Sequence, residues 1–286
     1  MISPLHGLPS RIAGTYAAPL DRLAKLLAVP EKYLRPGVVK DALSGTLVGH
    51  PFHPVLTDVA IGSWTSAVVL DVIGGERAEP AADALVGLGV LSAIPTAVTG
   101  WSDWLDTDGE ARRIGVVHAV GNAAVVALYA VSWAARRRDR RPLGVALGML
   151  AGGIASGTAY LGGHLVYGRG VGVNTTAFDQ IPARWTKVLD DAEQLTEGTP
   201  MLVQVKNVPV LLVRSGKGVD ALHDRCTHRG GPLHKGAVND GTVTCPWHQS
   251  CFRLSDGAVL QGPATAPQPS YEARITDGAV EVRRRS

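Results

Sequence analysis

The sequence predicts an α+β, multidomain protein in which an N-terminal four-helix transmembrane bundle is followed by a small antiparallel β domain. Three observations predict it. Between residues 55 and 167 lie four apolar runs, each close to the roughly 20 residues that span a bilayer. Beyond residue 180 the pattern changes to short β-rich runs broken by Gly, Asp and Pro. Two short Cys/His pairs sit inside that β-rich stretch. The 286 residues suffice for two domains, and the boundaries are expected at 1–45 for an N-terminal segment, 46–175 for the membrane domain and 176–286 for the β domain.

In chain order, residues 19–29 come first. Leu20, Leu23, Leu26 and Leu27 oppose Asp21, Arg22 and Lys25, the pattern of a helix that lies on a membrane surface or packs against protein. The opening lacks the apolar core of a signal peptide. The apolar runs are 55–74, 84–102, 114–135 and 143–167. A buried soluble helix would explain any one of them, but not four in succession. Trp101, Trp104 and Trp133 fall at run ends, where an amphipathic ring favours the headgroup level. Gly144, Gly148, Gly152 and Ser156 recur every four residues, so the fourth run carries a stripe of small residues on which another helix can pack closely.

Ionisable groups inside a bilayer are costly and often functional. His50 and His53 precede the first run, His118 is early in the third and His164 late in the fourth. Helices that alternate in direction bring these positions to one membrane face. His53, His118 and His164 are the candidates for a haem or quinone site, with Asn122 one turn from His118 on the same helix face. Three readings stay open: axial ligation of haem b, proton acceptance from a quinol, and interhelical hydrogen bonding alone. Asp58 could join the histidine group, whereas Asp71, near a helix end, is expected to snorkel.

Four spans put both termini on one side. Arg136, Arg137, Arg138, Arg140 and Arg141 argue that the loop after the third run is cytoplasmic, but Arg35, Lys40, Arg112, Arg113 and Arg169 nearly balance them at the opposite face. A net charge of +3 is too small to suggest a nucleic-acid partner.

In the β domain, strands are expected over 201–206, 208–213, 258–260, 271–275 and 279–282, with hairpin turns at Asp256-Gly257 and Asp277-Gly278. Cys226-Thr227-His228 and Cys245-Pro246-Trp247-His248 are separated by sixteen residues. Two thiolates and two imidazoles suit one [2Fe-2S] cluster, with the sulfurs on one iron and the ring nitrogens on the other. The same donors suit tetrahedral zinc. Cys251, the third of three cysteines, has no partner left for a disulfide; this fits a reducing environment and a packed, small apolar side chain. His223 and His234, outside the pairs, are expected at the surface.

The residues around the pairs decide between the two metals. Cys226-Thr227-His228-Arg229-Gly230-Gly231-Pro232-Leu233 and Cys245-Pro246-Trp247-His248-Gln249-Ser250-Cys251-Phe252 resemble the two cluster-binding loops of Rieske ferredoxins almost residue for residue. The resemblance implies a [2Fe-2S] cluster with Cys226, His228, Cys245 and His248 as its ligands. In Rieske proteins of quinol-oxidising complexes a disulfide joins the loops and a tyrosine donates to a ligand sulfur. Gly231 and Trp247 stand at the disulfide positions here and Phe252 at the tyrosine, so a ferredoxin-like centre of lower potential is implied. Ser250 matches the family serine that bonds a bridging sulfide, an ordinary turn serine being the other reading. Gln249 replaces the usual glycine, and Gly262-Pro263 resembles the start of the loop that covers the cluster.

The first half carries its own resemblance. Gly49-His50-Pro51-Phe52-His53-Pro54, Gly100-Trp101-Ser102-Asp103-Trp104, Arg113 with His118 and Asn122, and Leu161-Gly162-Gly163-His164-Leu165-Val166-Tyr167 resemble the bacterial membrane family known as domain-of-unknown-function 2231, over roughly residues 46–175. That family implies no activity. The expected whole is a multi-pass protein of the bacterial cell membrane. It carries single electrons between a membrane donor or acceptor, quinol or haem, and a redox partner protein, as a carrier or oxidoreductase component rather than a complete enzyme. An electron-supplying component of a Rieske-type oxygenase system and a membrane redox sensor are the alternatives. No residues follow Ser286 to build the two-His, one-carboxylate iron site that oxygenation itself needs. Clusters are assembled inside the cell and the disulfide is missing, so the Rieske domain is expected on the cytoplasmic side.

Overall fold

A computed structural model describes residues 7–28, 34 and 36–285. Among the described residues, seven α-helices come first: α1 Leu8–Thr15, α2 Ala17–Leu27, α3 Val38–Ser44, α4 Phe52–Ile73, α5 Glu79–Leu105, α6 Gly109–Arg136 and α7 Arg141–Gly163. Ten strands follow: β1 Thr186–Leu189, β2 Pro200–Val205, β3 Val208–Ser215, β4 Gly218–His223, β5 Ala237–Asn239, β6 Thr242–Thr244, β7 Cys251–Arg253, β8 Val259–Gln261, β9 Ser270–Thr276 and β10 Ala279–Arg284. The chain divides into two compact units, Met1–Leu34 with Phe52–Val171, and Arg35–Pro51 with Gly172–Ser286.

In the helical unit, α4 to α7 are each long and apolar enough to cross a membrane. Their ends run past the apolar runs because polar residues continue the helix, and Pro in the first turn of α5 and α7 loses no hydrogen bond there. Trp64 of α4 stacks on Tyr129 of α6 with ring centroids 4.3 Å apart and planes 8° from parallel. The small-residue stripe of α7 receives α6 as expected: Gly144 lies against Ser132 and Arg136, and Gly152 against the Tyr129 hydroxyl. A π-helical turn, His164–Gly168, follows α7.

The amphipathic segment forms α2, and it packs on protein. Arg113 of α6 donates to both carboxylate oxygens of Asp21 at 2.8 and 3.0 Å. Trp101 Nε1 of α5 donates to the Leu27 carbonyl at 3.1 Å. Asp71 departs from its expected snorkelling: its side chain is buried and ion-paired to Arg136 and Arg141. Those two arginines also bind Asp83, at 2.9 and 2.6 Å, and Arg141 binds Glu79 at 2.8 Å. Carboxylates on α4 and α5 thus hold two of the five arginines that the charge-asymmetry argument counted as loop charge.

The second unit has two antiparallel sheets, one of six strands in the order β1-β10-β9-β4-β3-β2 and one of four in the order β5-β6-β7-β8. β3 is buried on both faces, which is why it reads as a continuous apolar run. Val210 and Leu212 join a core with Val205, Ala221, Val280 and Val282. Leu211 and Val213 join a second core with Leu222, Leu233, Val243 and Phe252. Asp277 at φ 49° and Gly278 at φ 79° link β9 to β10, the left-handed pair a two-residue hairpin requires. Asp240 and Gly241 make the same turn between β5 and β6. β1, β4, β5, β6 and β7 lack a run long or apolar enough to announce them; β5, β6 and β7 have three residues each.

α3 belongs to this second unit, so packing divides the chain differently from the expected boundary at residue 45. The Asp41 carboxylate accepts the Gly262 N–H at 2.8 Å, and the Thr46 hydroxyl donates to the Ala264 carbonyl at 3.1 Å. Both contacts join residues more than two hundred positions apart.

Candidate iron–sulfur site

The two Cys/His loops are built alike, one after β4 and one between β6 and β7. In the first, Cys226 N–H donates to the Gly231 carbonyl at 2.9 Å and Gly230 N–H to the Cys226 carbonyl at 2.8 Å. In the second, Cys245 N–H donates to the Ser250 carbonyl at 2.8 Å and Gln249 N–H to the Cys245 carbonyl at 3.1 Å. The fifth residue of each is left-handed, Gly230 at φ 77° and Gln249 at φ 65°. Gln249 therefore keeps the conformation that glycine offers freely.

Polar residues outside the motif clamp the first loop. Gln268 Nε2 donates to the carbonyls of His223 and Arg225, both at 2.6 Å, and its Oε1 accepts the Thr227 N–H at 3.0 Å. The Thr175 hydroxyl donates to the Cys226 carbonyl at 2.8 Å. Sequence reasoning missed both residues; the one available signal was a glutamine set between Pro267 and Pro269. His223 is also corrected: it is fully buried, with Nε2 bonded to Asp179 at 3.0 Å and Nδ1 accepting the Arg225 N–H at 3.1 Å. An apolar strand end that must pass a polar loop across the core uses the ring to satisfy that amide. His234, partly buried, bonds Asp224 at 2.8 Å.

Cys226 and Cys245 are buried with their thiols in hydrogen-bond contact. Backbone N–H groups of His228 and Arg229 point at the Cys226 sulfur, and those of Trp247 and His248 at the Cys245 sulfur. The mutual thiol bond pulls the Cys245 pKa down and, with burial, pushes that of Cys226 up, so the pair holds one proton in common. A second thiolate in this place calls for a cation. The His228 and His248 rings, half-buried, stand edge to face with centroids 5.1 Å apart. Burial, then the charges of His248, Lys40 and Arg229, hold His228 well below the usual imidazole range, which leaves it neutral, the form a metal ligand needs. Among the described residues, no three His, Cys, Asp or Glu side chains gather where one ion could bind them. A thiol pair beside an imidazole pair suits a two-iron cluster, with the sulfurs on one iron and the ring nitrogens on the other.

The surroundings follow the same logic. A Cβ on Gly231 would lie 2.7 Å from Cys245 Sγ and 3.2 Å from the Trp247 ring, so the indole lies against the glycine and neither position holds a thiol that could bridge the loops. Phe252 is fully buried in the core that contains both cysteines. Ser250, also buried, accepts the Ala264 N–H at 3.0 Å, which leaves its own hydrogen to donate. Cys251 is a half-buried free thiol on β7.

In the helical unit, His53 Nδ1 bonds the Thr96 carbonyl and His118 Nδ1 the Thr158 carbonyl, each at 2.9 Å. A carbonyl only accepts, so both Nδ1 atoms carry the proton. His118 Nε2 accepts from Asn122 Nδ2 at 3.1 Å, and Asn122 Oδ1 accepts from the Thr158 hydroxyl at 2.8 Å. His53 and His118 are close enough to interact electrostatically. His164 lies in the π-helical turn, its Nε2 buried without a hydrogen-bond partner among the described residues. Asp58 is exposed, and His50 falls in the other unit.

Three known proteins show the extent of similarity. Over 48 residues the chain is 48% identical to apoptosis-inducing factor 3 of Mus musculus, a stretch covering 17% of this chain and 8% of that protein. Over 65 residues it is 38% identical to the anthranilate 1,2-dioxygenase ferredoxin subunit of Burkholderia cepacia, 23% of this chain and 60% of that one. The solved ferredoxin of carbazole 1,9a-dioxygenase from Nocardioides aromaticivorans IC177 aligns with 35% of this chain and 98% of its own, at 25% identity and a TM-score of 0.34. The chain thus spans less than two thirds of the length of apoptosis-inducing factor 3 and of the anthranilate 1,2-dioxygenase ferredoxin subunit. Residues 184–272 match the model of the Rieske [2Fe-2S] domain and residues 49–175 that of the predicted membrane protein DUF2231, so the chain is a fusion of these two domains.

Proposed function

We propose that this electron-transfer protein is a membrane-bound single-electron carrier whose [2Fe-2S] cluster is held by Cys226 and Cys245 on one iron and by His228 and His248 on the other. The pairing of two buried thiols with two half-buried imidazoles carries the reading. When bound, the cluster supplies reversible one-electron transfer. The chain's residues do the rest. The core around Phe252 and Leu233 keeps water from the sulfurs, and four backbone N–H groups stabilise their negative charge. His248, edge to face with His228, borders the exposed Trp247, an edge suited to a redox partner protein. The Ser250 hydroxyl is placed to donate one hydrogen bond to a sulfide, while Gly231, Trp247 and Phe252 supply neither a bridge nor a phenol. A low potential follows.

In the membrane domain a quinol site has more support than haem b. Asn122 already occupies the His118 Nε2 lone pair that axial ligation would use. His53, with Nδ1 fixed as donor, has Nε2 left to accept a quinol proton, and Asn122 and Thr158 orient His118 beside it. His164 Nε2 offers a second polar contact. We put the Rieske domain on the cytoplasmic side of a bacterial cell membrane, in keeping with Cys251, which has no disulfide partner once Cys226 and Cys245 hold the cluster. Supplying electrons to a separate oxygenase is the second reading, favoured by the likeness to the anthranilate 1,2-dioxygenase ferredoxin subunit.

The test is the full chain in lipid nanodiscs. Dithionite-reduced protein is expected to give a [2Fe-2S] paramagnetic resonance signal with histidine nitrogen coupling, and no Soret band after growth with haem. Quinol is expected to reduce the cluster, and His53→Ala to abolish that reduction while leaving the signal intact. A missing nitrogen coupling removes the ligand assignment; a Soret band removes the preference for quinol.

A further inference from the structure

α3 precedes the membrane helices in sequence, yet it packs with the Rieske domain. Its polarity is inverted. Val38 and Val39 are 78% and 61% exposed, while Lys40 is 3% and Asp41 8% exposed. Burying a lysine and an aspartate while exposing two valines opposes the hydrophobic effect, so specific polar contacts must hold the helix in this orientation.

Those contacts lie beside the cluster site. Asp41 accepts from Gly262 N–H at 2.8 Å, and Thr46 donates to the Ala264 carbonyl at 3.1 Å. A Cβ on Gly262 would lie 3.0 Å from Asp41 Oδ1 and collide with the Thr46 hydroxyl, so the loop approaches the helix closely. The same loop gives the Ala264 N–H to Ser250 at 3.0 Å. One residue from this anchor, Lys40 lies close enough to His228 to act on it electrostatically.

We propose that the segment Val38–Val48 is a strap on the cluster end of the Rieske domain, fastened by Asp41 and Thr46, and that Lys40 is a positioning residue whose fixed charge beside His228 favours the reduced cluster. The inference rests on the ligand assignment above. An electron entering the cluster adds negative charge, and a buried cation nearby lowers the energy of that state more than a solvated one would. A centre without the disulfide and the tyrosine thus has its own means of raising its potential, supplied by a residue nearly two hundred positions upstream. The ammonium acts through space and does not bond iron.

The test is a redox titration of the full chain in nanodiscs, read from the paramagnetic resonance signal. At the wild-type midpoint, Lys40→Met is expected to shift the oxidised-to-reduced ratio about tenfold towards oxidised, or 59 mV for one electron. Lys40→Arg is expected to stay within twofold of wild type, as is Lys187→Met, which removes an exposed lysine of β1. An unchanged midpoint in a signal-bearing Lys40→Met protein overturns the proposal. Should Lys40→Met lose the signal, Lys40→Gln is titrated in its place; if neither keeps the signal while Lys40→Arg does, the lysine is structural and the proposal is overturned. A wild-type protein without the nitrogen-coupled signal fails the ligand assignment instead, a separate result.

Discussion

Gln249 occupies in the second Cys/His loop the place that Gly230 occupies in the first: each is four residues after its cysteine, each donates its N–H to that cysteine's carbonyl, and both have positive φ, 65° and 77°. The loops are two copies of one turn, and only the first carries the residue that the turn favours. A left-handed residue with a Cβ costs about 1–2 kcal/mol, and glycine returns about 0.5–1 of it as unfolded-state entropy. Gln249→Gly is therefore expected to stabilise the protein by about 0.5–1 kcal/mol, seen as a higher denaturation midpoint at unchanged slope. Gly230→Ala should destabilise it, since alanine at φ 77° takes on the same left-handed cost. Equal midpoints for Gln249→Gly and wild type would show that the second loop is not strained.

Gly231→Ala tests the closeness of the loops. Its Cβ falls 2.7 Å from Cys245 Sγ, inside van der Waals contact, and neighbouring Trp247 blocks retreat on one side. Displaced sulfur geometry should lower the iron content per chain several-fold while circular dichroism of the helices stays unchanged. Full iron occupancy in the variant would mean that the second loop shifts freely.

What the sequence disclosed depended on how locally each feature is written. The four spans were legible because lipid demands about twenty consecutive apolar residues, and the two Cys/His loops because a short motif carries each. Partnerships across the chain were not. Asp71 looked like a snorkelling carboxylate because its counter-ion, Arg136, lies 65 residues on. His223 looked like a surface residue because its burial depends on Asp179 and on Gln268 from a later loop. Lys40 read only as a charge near the membrane face and Asp41 carried no signal, because the contacts of their helix lie in the loop that starts at Gly262. β5 to β7 are three-residue strands in which no alternation can register.

His223 gives the Rieske domain an acid-sensitive core. Burial lowers its pKa from the ordinary value, against the opposing pull of Asp179. An unfolded imidazole titrates near about 6.5, so above that pH both states are neutral and stability is complete. As pH falls below it, the unfolded chain takes the proton first, and stability is lost until the lower folded pKa is reached. The slope from this residue is at most about 1.4 kcal/mol per pH unit. Thermal midpoints of the full chain should fall between pH 7 and pH 5, and His223→Gln should flatten that fall. A variant with the wild-type slope would assign the acid sensitivity to other groups.

The buried ion network of the helical unit makes the sharpest stability prediction. Arg136 is nearly inaccessible, and its guanidinium bridges Asp71 of α4 and Asp83 of α5. Arg141 of α7 binds the same two carboxylates and Glu79, so one cluster of charges ties all four long helices together. Gly144 permits this, because a side chain there would collide with the Arg136 stem and with the Ser132 carbonyl at 2.9 Å. Arg136→Met leaves Asp71 buried with only Arg141 to compensate, and the loss of one partner from a buried pair costs about 3–5 kcal/mol. Asp71→Asn should cost a similar amount, because Arg136 then keeps only Asp83. If the cost comes from an uncompensated charge, Arg136→Met combined with Asp71→Leu should be milder than the sum of the two single changes, which unfolding in mixed lipid–detergent micelles can measure. Strictly additive losses would mean that the residues act separately, and that the helices are held by Trp64, Tyr129 and the glycine stripe instead.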